Sequence, residues 1–246
     1  MAEEETNPQQ PLELGGEERV VAWRRTGKPQ IYRHVFRRPT DADAIGFYRA
    51  RQRAHEAGRF QVSPEMLELY RDLIVRVDGY GVIAPQRVPQ GERLVAVNLL
   101  TNVRPSKSWA GEPDAEHDVV ALDALWHDEG TGAMKWSRGL LHRFAPLLKE
   151  QEDQLQEKLT RAKLVGGSRN GRTIKATRER VLIEFYTTQI RSVDGYQLNG
   201  RPAQGDVMDP FHRVAAVERL LAGALDIELP EAPGEDAEAE EFEEAE

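Results

Sequence analysis

The chain contains no cysteine. That absence excludes a disulfide framework, thiolate metal ligands and a cysteine nucleophile together. No apolar run approaches the roughly 18 residues that a helical membrane span requires. The opening MAEEETNPQQPLELGGEE is acidic and lacks the basic-then-apolar order of a signal peptide. A soluble protein with no export signal and no membrane partner is expected.

Motifs of catalysis are missing as well. Gly166–Arg172 (GGSRNGR) has the glycines of a turn, but neither the Lys-Ser/Thr step of a P-loop nor the spacing of a dinucleotide fingerprint. There is no Gly-x-Ser-x-Gly elbow and no pair of histidines at i and i+4 with a glutamate between them. His117-Asp118 and His127-Asp128 resemble the pairs of metal hydrolases. If 116–128 is one helix, ten residues of rise hold the two histidines roughly 15 Å apart, too far to share one ion. No catalytic residue, metal ligand or cofactor is assigned, and the chain is expected not to be an enzyme. A metal-dependent hydrolase using the His117/His127 region is kept as an alternative.

Charge is unevenly placed. The formal net charge is −9, and residues 231–246 hold nine acids and no base, so the rest of the chain is neutral. Like charges repel, and only Phe242 there is suited to burial, so a disordered tail is expected. The opposite extreme is the stretch from Lys158 to Arg180, which carries Lys158, Arg161, Lys163, Arg169, Arg172, Lys175, Arg178 and Arg180 against the single acid Glu179. It is the candidate partner-binding segment, for an acidic protein surface or for phosphate backbones with steep salt dependence. It has no aromatic residue for base stacking.

The chain nearly repeats itself. Met66–Tyr80 and Leu182–Tyr196 share seven of fifteen residues: Glu, Tyr, Ile, Val, Asp, Gly and Tyr. The match implies two related units, and repetition of a packing element points to a scaffold more readily than to a catalyst. In the first copy Met66, Leu69, Tyr70, Leu73, Ile74 and Val77 recur at helical spacing. This predicts one amphipathic helix from Ser63, stopped by Gly79; Gly195 is the counterpart in the second copy.

Elsewhere, Val20–Trp23 and Ile31–Phe36 predict a hairpin around Gly27-Lys28-Pro29. Thr40 predicts the N-cap of a helix closed by Gly58. Arg93–Leu100 reads as strand or buried helix, while 116–127, 133–148, 149–164 and 210–225 are expected helical. The fold class is therefore expected to be α+β but mainly helical, with two helix-rich units, a few short strands and disordered acidic termini. Its expected divisions are a tail at 1–18, a first unit at 19–148, a second at 149–229 and a tail at 230–246.

Three segments together carry a resemblance: Phe36-Arg37-Arg38-Pro39-Thr40 leading into a helix, Val77-Asp78-Gly79-Tyr80 closing another, and Phe211–Val217 (FHRVAAV) opening a late one. They resemble small proteins encoded among the tail genes of tailed phages and prophages. The resemblance implies a tail-assembly or virion-associated role, phage tail or other virion proteins as partners, and a place in the host cytoplasm or the virion. It carries no catalytic residues. The leading expectation is a non-enzymatic tail-assembly chaperone or structural accessory; the alternative is a nucleic-acid-associated regulator or packaging protein using 158–180.

Overall fold

The computed structural model describes residues 11–25, 27–59, 63–106, 117–128, 132–136, 139–166 and 178–224. The first half runs β1 (Leu12–Glu13), β2 (Glu18–Arg24), β3 (Ile31–Arg37), α1 (Asp41–Glu56), α2 (Ser63–Leu73), β4 (Ile74–Asp78), a 3₁₀ turn at Pro85–Arg87, α3 (Gln90–Thr101) and β5 (Val103–Pro105). The second runs β6 (Asp118–His127), β7 (Met134–Trp136), β8 (Leu140–Phe144), α4 (Lys149–Gly166), α5 (Arg178–Gln189), β9 (Ile190–Asp194), β10 (Tyr196–Leu198) and β11 (Arg201–Pro202). It closes with a 3₁₀ turn at Gly205–Val207 and α6 (Pro210–Ala224).

Among the described residues, six helices stand beside eleven strands in three sheets, which corrects the expectation of a mainly helical chain with few strands. Three segments account for the difference. The expected continuous helix through Val77 ends at Leu73, and Ile74-Val75-Arg76-Val77 is β4. Its β-branched residues are stiff at χ1 and favour a pleated strand. The positions that extended the helical stripe in sequence were coincidental.

Where a helix was expected over 116–127 the chain forms strand β6 (Asp118–His127), held between β5 and β8. Its apolar run is dense because an interior strand is covered on both faces. Within 133–148 lie β7 and β8 rather than a bent helix. Leu140, His142 and Phe144 alternate inward with period two, the signature of a strand.

The repeat is a repeat of the whole unit. In sheet β2-β3-β4, His34 lies opposite Val77 and Phe36 opposite Ile74, with a register shift between Val35 and Phe36. In the β6-β8-β9 part of the second sheet, His142 lies opposite Val193 and Phe144 opposite Ile190, with the shift between Arg143 and Phe144. Each strand pair is followed by two helices, the third strand, a 3₁₀ turn and a last helix, with β10 and β11 inserted before the turn in the second copy. The anticipated boundary at 148/149 falls between β8 and α4, inside the second copy.

Local chemistry fixes the first helix as expected. Thr40 Oγ1 accepts from the Asp43 N–H (3.3 Å) and Asp43 Oδ2 accepts from the Thr40 N–H (2.8 Å), a reciprocal capping box. Arg37 grips the same carboxylate with two bonds of 2.7 Å. Burial raises the Asp43 carboxyl, but the hydrogen bonds from Arg37 and Thr40 outweigh it and set its pKa at about 2.

The two copies pack on each other and exchange parts. One core gathers Trp23, Phe36, Phe47, Tyr70 and Leu100, and receives Phe211 from α6. The other gathers Leu122, Phe144, Leu182, Tyr186 and Val217, and receives Ile45 from α1 and Leu14 from the N-terminal segment. That segment was expected to be disordered to residue 18. It is instead ordered from Pro11, with β1 parallel to β10 and Leu14 buried. Residues 1–10 and the acidic tail 230–246 lie outside the described residues. No helix among the described residues is long and apolar enough to cross a membrane.

Candidate functional site

Each copy encloses a histidine between two tyrosines. In the first, β3 supplies His34, whose Nδ1 lies 3.0 Å from the Tyr70 hydroxyl on α2 and whose Nε2 lies 2.8 Å from the Tyr80 hydroxyl just after β4. Trp23 of β2 stacks on the imidazole, with ring centroids 4.6 Å apart. In the second, β8 supplies His142, with Nδ1 2.9 Å from the Tyr186 hydroxyl and Nε2 2.9 Å from the Tyr196 hydroxyl. Tyr196 continues to His212 Nδ1 on α6, 2.8 Å away.

A neutral imidazole has one donor and one acceptor nitrogen, so His34 and His142 each donate to one of their two tyrosines and accept from the other. Tyr80 also neighbours the Glu92 carboxylate, and the Tyr70 hydroxyl also donates to the Pro85 carbonyl at 3.5 Å. In the second copy the linked groups run Tyr186, His142, Tyr196 and His212. His212 stands in α6 where Glu92 stands in α3.

Burial governs the electrostatics. It lowers the His34 pKa to about 4 and that of His212 to about 3, the latter helped by the charge of Arg19. Burial first, then His212, pushes His142 far below its ordinary value. Tyr70, Tyr186 and Tyr196 are all raised, chiefly by burial. Both networks are neutral at physiological pH. His142 and His34 are fully enclosed, so the arrangement ties β3 to α2 and β8 to α5 and α6; it offers no reacting atom to a substrate.

Beside these networks lies a buried ion pair between the copies. Arg19 of β2 places Nε 2.9 Å from Asp209 Oδ2, directly before α6, and both side chains are buried. Arg19 also donates to the Glu13 carbonyl, and Arg38 donates to the Val207 carbonyl. The start of α6 is therefore pinned to the first copy. On the outside, a shallow groove of ≈ 420 Å³ runs along edge strand β9, lined in part by Ile190, Arg191, Ser192, Gln204, Gly205 and Asp206.

The basic segment is divided. Lys158 and Arg161 lie exposed on α4, with Arg161 paired to Glu157, and Lys163 lies on the same helix. Arg178 and Arg180 open α5, and Arg178 pairs with Glu218 of α6. Arg169, Arg172 and Lys175 lie outside the described residues.

His117 and His127 bracket strand β6, roughly 33 Å apart at strand rise. His127 Nε2 is within 3.2 Å of the Arg24 carbonyl and 3.1 Å of that of Gly132. No group of three or more potential metal ligands occurs among the described residues.

Sequence reasoning missed the buried histidines. A signal existed: His34-Val35-Phe36 and His142-Arg143-Phe144 share a His-x-Phe spacing before each copy of the recognised repeat. Compared with protein-family models, curated proteins and solved structures, the chain matches none of them.

Proposed function

We propose that the chain is a non-enzymatic protein of a tailed phage or prophage, acting by protein–protein contact as a tail-assembly chaperone or structural accessory of the virion. The observation that carries this reading is the duplicated unit. Two copies of one module, interlocked through Phe211, Ile45 and Arg19–Asp209, form a block whose titratable clusters are turned inward.

What faces outward suits binding. Strand β4 and the loop after it expose Val75, Val82 and Ile83, and edge strand β9 carries the groove. The resemblance of Phe36–Thr40, Val77–Tyr80 and Phe211–Val217 to tail-region proteins supplies the setting, host cytoplasm or virion. Two measurements test it: co-purification with purified tail-tube and tail-tip proteins, and microscopy of particles assembled without this chain. Defective tails and a stoichiometric complex are expected. Normal particles together with no binding to any virion protein would remove the proposal.

A further inference from the structure

Among the described residues Asn199 is the only residue other than glycine with a left-handed backbone, φ +53°, and Gly200 follows at +73°. The two form the turn between β10 and β11, where Leu198 lies opposite Arg201. Tight hairpins of this kind demand positive φ at both central positions, and Asn-Gly supplies it at low cost. The same dipeptide is chemically labile. Once the glycine nitrogen loses its proton it attacks the asparagine side-chain carbonyl, unhindered because glycine has no Cβ. Both residues are exposed, so water reaches them.

One side chain opposes that attack. Glu13 accepts from the Asn199 N–H with Oε1 (2.7 Å) and from the Gly200 N–H with Oε2 (3.1 Å), and Oε1 also takes the Gly15 N–H (3.1 Å). Burial raises the Glu13 carboxyl, but the hydrogen bonds from Gly200, Asn199 and Gly15 outweigh it, so the group stays ionised at neutral pH. Its charge disfavours the amide anion that the attacking Gly200 nitrogen has to become. Its position fixes a torsion as well. The two clamped nitrogens stand at either end of the Asn199 ψ dihedral, and one carboxylate reaches both only while they lie on the same side. Ring closure needs the Asn199 side chain on that side instead, a rotation of about a third of a turn.

The carboxylate is brought there by the N-terminal segment. Strand β1 lies parallel on β10, with the Leu12 N–H donating to the Gly195 carbonyl (2.8 Å) and the Leu14 N–H to that of Gln197 (2.7 Å). Leu14 is buried in the core of the second copy. The Asn199 side-chain amide lies against Gly16 of the same segment, 3.6 Å from where a Cβ on that glycine would stand. Segment and turn hold each other.

We propose that Asn199 is a site of spontaneous deamidation, that the docked N-terminal segment holds the reaction back, and that the modification once made unlatches the segment. With the segment lifted, a bond forms from the Gly200 nitrogen to Asn199 Cγ, the Cγ–Nδ2 bond breaks, and ammonia leaves with the Gly200 proton. Water then adds to one of the two carbonyls of the cyclic imide and breaks its bond to nitrogen, leaving aspartate or isoaspartate. Isoaspartate lengthens the backbone by one atom between the two clamped nitrogens, which no longer converge on one carboxylate. Aspartate sets a second negative charge beside Glu13. Either product weakens the latch, and the loss of ammonia makes the change one-way.

The inference stands independently of the phage reading and is tested on the purified full chain, aged at neutral pH and mapped by mass spectrometry. Reaction through the lifted state follows the population of that state. Asn199 is therefore expected to deamidate at least about tenfold more slowly in the native chain than in the chain unfolded in guanidinium chloride. Asn170, the chain's other asparagine before a glycine, lies outside the described residues and clocks the chemistry in the unfolded sample. Glu13→Ala is expected to raise the native rate about tenfold with circular dichroism unchanged. Glu17→Gln, which removes a charge from the same segment without touching either N–H, leaves the rate as it is.

Glu13→Gln separates guarding from catalysis. Losing the charge speeds the reaction if the carboxylate guards the Gly200 N–H, and slows it if the carboxylate acts as a base. Hydrogen exchange on the aged chain reads the latch, with the Leu12 and Leu14 amides protected in unmodified molecules and open in deamidated ones. A native rate equal to the unfolded one, a rate unchanged in Glu13→Ala, a slower rate in Glu13→Gln, or protection that survives deamidation would each overturn the proposal.

Discussion

Replacing Tyr196 by phenylalanine tests how firmly the buried network of the second copy holds its elements together. The hydroxyl lies 2.9 Å from His142 Nε2 and 2.8 Å from His212 Nδ1, and all three side chains are enclosed. Phenylalanine keeps the ring and its packing but strands one imidazole nitrogen on either side where water does not reach. A stranded buried donor or acceptor costs about 1–3 kcal/mol, so with two of them the expected destabilisation is about 4 kcal/mol. At a urea slope near 3 kcal/mol/M, the midpoint falls by about 1 M.

Tyr80→Phe is the internal control. Its hydroxyl makes the equivalent bond to His34 but sits half-buried at the end of β4, where solvent replaces part of what is lost. About 1 kcal/mol is expected there. Urea unfolding followed by circular dichroism on both variants decides the matter. Equal midpoint shifts, or a Tyr196→Phe shift under about 0.3 M, would refute the assignment of the second network as the tighter one.

Acid is expected to destabilise the fold through the histidines. Their folded pKa values lie below the ordinary one, so the unfolded chain binds protons first. Stability is intact above the unfolded value of 6.5 and falls as pH drops toward about 4 for His34 and about 3 for His212. With His142 included, the slope approaches roughly 4 kcal/mol per pH unit, and a urea midpoint flat between pH 7 and 5 would contradict it. Gly79→Ala is expected to cost more than 2 kcal/mol, since φ is +92° and a Cβ would stand 2.4 Å from the Ile31 carbonyl. Gly81→Ala, at φ +74° with open space around it, is expected to cost about 1 kcal/mol, and thermal unfolding separates the two. Phe211→Ala should cost 3–5 kcal/mol by emptying a site in the first copy's core, visible as a lowered melting temperature. A loss below 1 kcal/mol would show that the two cores do not share this residue.

Much of the fold was legible where a residue has one physical role. Thr40 announced its helix because a capping side chain is useful only there, and Gly27 announced its turn, with φ +71°. The α2–β4 junction was not legible by periodicity. Ile74 and Val77 fit a helical stripe after Leu73, and only their β-branching argues for a strand. The glycines after them were recognised as terminators, but of a strand: Gly79 is required by its φ and by the Ile31 carbonyl, not by a helix end. The histidine networks were hidden because a buried histidine is defined by partners distant in sequence; Tyr186 lies 44 residues from His142.

The copies have diverged most where they depend on each other. Tyr80 sits half-buried beside Glu92, which Arg25 holds near the surface, whereas Tyr196 bonds a histidine deep in the core. The link from Tyr196 to α6 is four residues longer than that from Tyr80 to α3. The added length forms β10 and β11, and β10 receives β1 from the N-terminal segment. Glu13 of that segment accepts from the N–H groups of Asn199 (2.7 Å) and Gly200 (3.1 Å), fixing the turn between them. The second copy is thus completed by Leu14 and Ile45 from the first, and the first by Phe211 from the second. Neither has a finished core alone, so the cooperative unit is the pair. The Arg19–Asp209 bond sits between them with its charges fully desolvated, and breaking it strands a buried ion at the place where both cores meet.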